Sequence, residues 1–202
     1  MTKIAEIYAT NQNKYARQLR CTRIHDLLAS HAEAVPNSLA AVDDAVRLTY
    51  QQLSDEVDMI ARALLAYGIK PGDRIATMVP PSLEFWLTYL ATTSIGGIWV
   101  GLNPRYQLPE YAYLLGDAKP SLVFCRTEYE DRAYCDELQS VGTEIKHFVS
   151  FGKPTGRAVA FETFLEKAKD TSDDELASRR VAVDAEDIAV IVYTSGTTGK
   201  PK

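Results

Sequence analysis

Apolar residues recur at helical spacing behind Thr22, where Ile24, Leu27, Leu28 and His31 fall in register and Pro36 marks the end. Beyond it, LAAV and VRLTY flank an acidic turn at Asp43 and Asp44, which is a hairpin pattern. Thr49 and Gln52 stand at capping-box spacing ahead of a stripe of Leu53, Val57, Ile60 and Leu64. Gly68 then occupies the place beyond a helix end that favours glycine. KPGD at 70 to 73 reads as a turn and RIATMV as a short buried strand. Ser82 can cap a helix carrying Phe85, Trp86, Tyr89 and Leu90, which runs out at Gly96 and Gly97. IWVGL predicts a strand, LPEYAYLLGDA a helix and SLVFC a further strand. A helix near 129 to 140, a strand KHFVS and a helix near 161 to 169 continue the alternation. The acidic DTSDDE run at 170 to 175 reads as a solvated loop. IAVIVY, six apolar residues rich in β-branched types, predicts a central strand buried on both faces.

Strands alternating with helices of this length predict an α/β fold with a mostly parallel sheet and flanking helices. Residues 75 to 102 are apolar enough to raise a bilayer span, but Pro80, Pro81 and Glu84 break it into strand, turn, helix and strand. The first twenty residues hold no continuous apolar stretch, so no transmembrane segment and no secretory signal is expected. A net charge of −5 without any cluster of Lys and Arg argues against a nucleic-acid partner. Cys21, Cys125 and Cys135 are an odd, scattered set without CxxC, as reduced thiols of a cytoplasmic protein would be.

The chemistry concentrates at the far end, in TSGTTGKPK over 194 to 202. In an open α/β sheet, ligands bind beyond the carboxyl ends of the strands, and this tract follows IAVIVY directly. Gly196 and Gly199 permit unusual backbone dihedrals and close approach to a ligand. Successive backbone N–H groups in such a loop form an anion-binding concavity, and Thr194, Ser195, Thr197 and Thr198 add hydroxyl donors. A polyphosphate satisfies these groups together. A Walker A loop is absent, since the glycines are three apart and Pro201 stands where Ser or Thr is required. The plain alternative is a flexible Gly/Thr loop leaving a strand.

YTSGTTGKPK resembles the phosphate-loop signature of the adenylate-forming, AMP-binding superfamily, which includes acyl-CoA synthetases, peptide-synthetase adenylation domains and luciferases. LTYQQL, YGIKPGDRIATMVPPSLEFW, IGGIWVGLNPRY and DAKPSLVF resemble the N-terminal half of that family in its order and spacing. The resemblance runs from about residue 24 to the last residue and implies the N-terminal part of the family's large domain. The family's adenine-binding segment, acidic magnesium ligand and mobile C-terminal domain follow the loop, so residues 1–202 are expected to be a truncated AMP-binding domain, inactive alone. The chemistry implied is attack of a carboxylate on ATP, giving an acyl-adenylate and pyrophosphate, then transfer to coenzyme A. By resemblance Thr194 helps hold Mg2+. Ser195, Gly196, Thr197, Thr198 and Gly199 wrap the phosphates, and Lys202 rather than Lys200 is the signature lysine. GGIWVGLNPRY looks more like the stand-alone CoA ligases. An adenylation domain loading a carrier protein or another acceptor, and a non-catalytic nucleotide-binding module, remain alternatives.

Other residues fit plainer roles. Cys21 and His25 share a helical face, but two ligands do not make a zinc site. The row Phe85, Trp86 and Tyr89 suggests an acyl groove, but core packing is the ordinary use of such residues on a helix. Asp184, Glu186 and Asp187 read as groups that cap and solvate a turn.

Overall fold

The computed structural model describes residues 22–44 and 46–194. Helix α1 spans Ile24–Ala34, with the Arg23 N–H donating to the Asp26 carboxylate at 3.3 Å at its start. Strands β1 (Leu39–Asp43) and β2 (Val46–Thr49) form the expected antiparallel hairpin. Helix α2 (Tyr50–Ala66) opens on the anticipated capping box: the Gln52 N–H donates to the Thr49 hydroxyl at 3.3 Å, and the Thr49 N–H to the Gln52 side chain at 2.9 Å. Its stripe of Leu53, Val57, Ile60 and Leu64 is buried, and Gly68 takes φ +80° just past the end.

The main sheet is parallel throughout, in the order β7-β6-β5-β3-β4-β8. Its strands are β3 (Arg74–Met78), β4 (Ile98–Gly101), β5 (Leu122–Arg126), β6 (His147–Phe151), β7 (Val159–Ala160) and β8 (Val190–Ile191). Helix α3 (Leu83–Ser94) links β3 to β4, α4 (Leu108–Ala118) links β4 to β5, and α5 (Tyr134–Val141) links β5 to β6. Alternate strand residues serve opposite faces, as a two-residue repeat demands. Ile75, Leu122, Phe124 and Val149 pack with α2 and α3 in one core, and Ala76, Val123, Cys125 and Phe148 pack with α4 and α5 in the other. Cys125 and Cys135 are free thiols buried in the second core.

The hairpin also positions α3. The Leu83 N–H donates to the Asp43 carboxylate at 2.6 Å and the Phe85 N–H to the Ser82 hydroxyl at 3.4 Å, so an acidic turn predicted only as a turn supplies a cap.

Four expectations need correction. Helix α5 starts at Tyr134, not near 129, because Tyr129 pairs with Arg132 in a tight turn where Glu130 and Asp131 take φ of 48° and 62°. The helix expected near 161 to 169 is α6 (Phe161–Leu165), passing into a 3-10 turn over Glu166–Asp170. The DTSDDE run is no loop. The Ser172 hydroxyl accepts the Glu175 N–H at 3.2 Å and starts α7 (Asp173–Val181), whose first-turn acids favour the helix dipole. IAVIVY is not a doubly covered central strand either. Only Val190 and Ile191 pair, with Trp99 and Val100 of β4, while Ile188 and Val192 are 64% and 69% exposed. An apolar run records the demand for cover, but not whether a neighbour supplies it.

No helix among the described residues is long and apolar enough to cross a membrane. Burial lowers the pKa of His25, outweighing the nearby Asp26 carboxylate, and burial lowers that of His147. Between the lowered folded values and the ordinary value of 6.5, the unfolded chain binds more protons than the folded one. The melting temperature should therefore be steady above about pH 7 and fall as pH drops below about 6.5. His25→Gln should flatten part of that fall in a pH series of thermal melts.

Candidate functional site

The carboxyl ends of β3, β4, β5 and β8 meet at a cavity of about 590 Å3, with Phe85, Trp99, Gly101, Arg105, Tyr129 and Tyr193 in its wall. This is the edge at which open parallel sheets take ligands. Trp99 shapes it. Its indole is 5% exposed and meets Phe85 edge-on at 4.7 Å and Tyr89 at 5.6 Å between ring centroids. The ring lies over Gly101, where an added Cβ would stand 2.7 Å from it, so the glycine leaves the indole its place. The aromatic row of α3 divides accordingly. Phe85 and Tyr89 hold Trp99, Phe85 also reaches the cavity, and Trp86 is 45% exposed, stacked on Tyr89.

The opposite wall, Asn103 to Tyr106, is irregular backbone whose carbonyls are held from below. Tyr111 donates its hydroxyl to the Asn103 carbonyl at 2.9 Å, and Tyr134 to that of Pro104 at 2.8 Å. Arg132 donates to the Pro104 and Tyr106 carbonyls, each at 3.0 Å, while its guanidinium lies 4.6 Å from the Tyr134 ring centroid and pairs with Glu137. Burial raises the Tyr111 phenol well above its ordinary value, so it stays a donor. None of these three was singled out in the sequence, since nothing local tells that residues nearly thirty positions apart share a loop. Arg132→Ala should lower the unfolding free energy by about 1 to 2 kcal/mol in denaturant titration, because loop carbonyls lose a charged donor.

Thr194 is exposed and stands three residues after Ile191, the final paired residue of β8. Ser195, Gly196, Thr197, Thr198, Gly199 and Lys202 lie outside the described residues, as do Lys200 and Cys21. Among the described residues no three His, Cys, Asp or Glu side chains are grouped to hold a metal ion. The acids before β8 fold a turn, as expected: the Asp184 N–H donates to the Asp187 carboxylate at 2.9 Å and the Glu186 N–H to that of Asp184 at 3.0 Å.

Known proteins share this architecture. A medium-chain acyl-CoA ligase of Danio rerio, mitochondrial ACSF2, is 28% identical over 202 residues, covering 91% of this chain and 33% of its own. Tyrocidine synthase 1 of Brevibacillus parabrevis is 30% identical over 179 residues, covering 89% of this chain and 14% of its own. The solved structure of VinN with L-aspartate superposes with a TM-score of 0.67 at 27% identity, over 89% of this chain and 46% of that one. The chain thus spans a third or less of these curated relatives. Residues 28–202 match the family model described as AMP-binding enzyme, and the chain belongs to that family of adenylate-forming enzymes.

Proposed function

We propose that the protein carrying this chain activates a carboxylic acid with ATP, releasing pyrophosphate, and transfers the acyl group from the adenylate to coenzyme A. The observation that carries the reading is a family-matched chain in which Val192 and Tyr193, the residues just before the TSGTTGKPK sequence, line a cavity at the carboxyl edge of the sheet together with Trp99 and Arg105. Thr194 to Gly199, with Lys202, would grip the β- and γ-phosphates and offset charge on the departing pyrophosphate. The hydroxyl of Thr194 suits a hard cation that takes oxygen ligands and keeps several waters, so it would help hold Mg2+, which neutralises phosphate charge when bound. In this reading the chain supplies the opening part of a larger adenylating unit.

The test is carboxylate-dependent exchange of labelled pyrophosphate into ATP, followed by AMP release on adding coenzyme A. Formation of ADP and phosphate across a broad acid panel would sink the assignment. The 202 residues alone should give no exchange, since the family's adenine-binding segment lies beyond the signature lysine. A second reading, delivery to a carrier protein, draws on the equally close tyrocidine synthase. Acyl transfer to a phosphopantetheinylated carrier, with none to free coenzyme A, would favour it.

A further inference from the structure

Two thiols that no step of adenylation calls on lie together in the second core. Cys125 is the penultimate residue of β5, Cys135 stands in the first turn of α5, and both are 0% exposed. The Cys135 sulfur is surrounded by donors. The Gln139 side-chain amide donates to it at 3.2 Å, and the Cys125 thiol donates to it from β5. The Thr155 hydroxyl is buried beside the same sulfur and has no other partner among the described residues. Donors converging on one sulfur suit a thiolate, which only accepts. Cys125 foremost, they draw the Cys135 thiol below its ordinary value in spite of its burial. Cys125 is pushed the other way, because its proton is engaged by Cys135 and the strand around it is buried.

The cover over this sulfur is one layer thick. Gln139 and Thr155 are half-buried, and the rest of the loop from Gly152 to Arg157 is exposed. Near its two ends the loop turns on glycines of positive φ, 115° at Gly152 and 55° at Gly156. Gln139 fastens the loop over Cys135: its amide donates to the Thr155 carbonyl at 3.1 Å, and its oxygen accepts the Arg157 N–H at 2.8 Å. A Cβ at Gly156 would stand 2.6 Å from that oxygen, so the glycine lets the cover close. Lifting a short surface loop is a local opening, far cheaper than unfolding the core beneath it. A molecule little larger than water needs no wider path.

We propose that Cys125 and Cys135 form a redox site for a peroxide, which oxidises the pair to a reversible disulfide. The Cys135 thiolate attacks one oxygen of hydrogen peroxide, an S–O bond forms, and the O–O bond breaks. The second oxygen leaves as hydroxide and takes up a proton to become water, so that Cys135 is left as a sulfenic acid. The Cys125 sulfur then attacks the Cys135 sulfur, the S–O bond breaks, and its oxygen leaves with the Cys125 proton as a second water. Two thiols thus give up two electrons to one peroxide. The bond forms one residue from Tyr134, whose hydroxyl holds the Pro104 carbonyl in the cavity wall, so the site borders the adenylation cavity while depending on no reading of its function.

The experiment treats the full protein carrying this chain with hydrogen peroxide under native conditions, alkylates the remaining thiols in denaturant and maps tryptic peptides by mass spectrometry. Cleavage after Arg126 and Arg132 puts the two cysteines on separate peptides unless they are bridged. Both should be lost to alkylation together, appear as one cross-linked pair of peptides, and return on adding dithiothreitol. In Cys125→Ser the bond cannot form, and dimedone, which captures sulfenic acids, should label Cys135 when added with the denaturant. In Cys135→Ser, Cys125 should remain alkylatable after the same treatment. Thiols left unbridged by peroxide, or bridged to Cys21 instead of to each other, overturn the proposal. That measurement needs no substitution in the core, so it decides whether or not the variants fold. Dimedone on Cys125 in Cys135→Ser, with none on Cys135 in Cys125→Ser, overturns the assignment of Cys135 as the attacking sulfur.

Discussion

Gly196→Val, in the protein carrying this chain, should lower kcat/KM for ATP by at least about 30- to 150-fold, while Lys200→Ala costs less than about fivefold. The valine restricts the dihedrals of a tract whose glycines permit close approach, and its branched side chain competes with phosphate oxygens for space. Several backbone donors are lost together, at or beyond the scale of about 2 to 3 kcal/mol seen when one preorganised donor is removed. Lys200 stands at the variable position of the family signature, where an exposed charge contributes under about 1 kcal/mol. Steady-state kinetics of both variants, with circular dichroism to verify folding, decides the matter. Equal losses, or a greater loss at Lys200, would reassign the phosphate-holding groups.

Trp99→Ala should lower the unfolding free energy by about 3 to 5 kcal/mol, the range for deleting a buried aromatic side chain. The indole fills the space between Phe85, Tyr89 and the open Cα of Gly101, and an alanine abandons contacts on all three sides. Trp99→Phe should cost much less, because a ring remains against Phe85 and Tyr89 and the indole N–H has no partner among the described residues to lose. Gly101→Val approaches the same spot from the other direction. Its side chain must displace the packed indole, at a cost of about 1 to 3 kcal/mol. Urea denaturation of the three variants orders these effects. A Trp99→Ala protein as stable as wild type would mean that the cavity wall is not packed as described.

What was legible in the sequence was local. The capping box at Thr49 and Gln52, the glycine beyond α2 and the limits of α4 each depend on residues within one or two turns, and the structure has them where the pattern put them. The helix α7 was also written locally, since Ser172 and Glu175 stand at capping-box spacing, but the unbroken polar run DTSDDE hid it. What depends on distant partners was not legible. The edge position of β8 is decided by its pairing to β4, some ninety residues earlier, and by no described strand on its other side. The wall at Asn103 to Tyr106 owes its shape to Arg132 and Tyr134, and Tyr193 finds Asp117 across 76 positions of sequence. The phosphate-gripping residues were recognised by composition and family likeness, whereas the scaffold that aims them was not.

The chain holds two tryptophans, and the fold has sorted them into opposite settings: Trp86 is 45% exposed on the outer side of α3, and Trp99 is 5% exposed at the cavity. That pairing makes the protein its own optical reporter. A collisional quencher such as iodide should reach the emission of Trp86 and spare that of Trp99, leaving a residual, blue-shifted signal. Trp86→Phe would isolate the inner fluorophore, whose intensity and wavelength would then follow what happens at the mouth of the sheet without any added label.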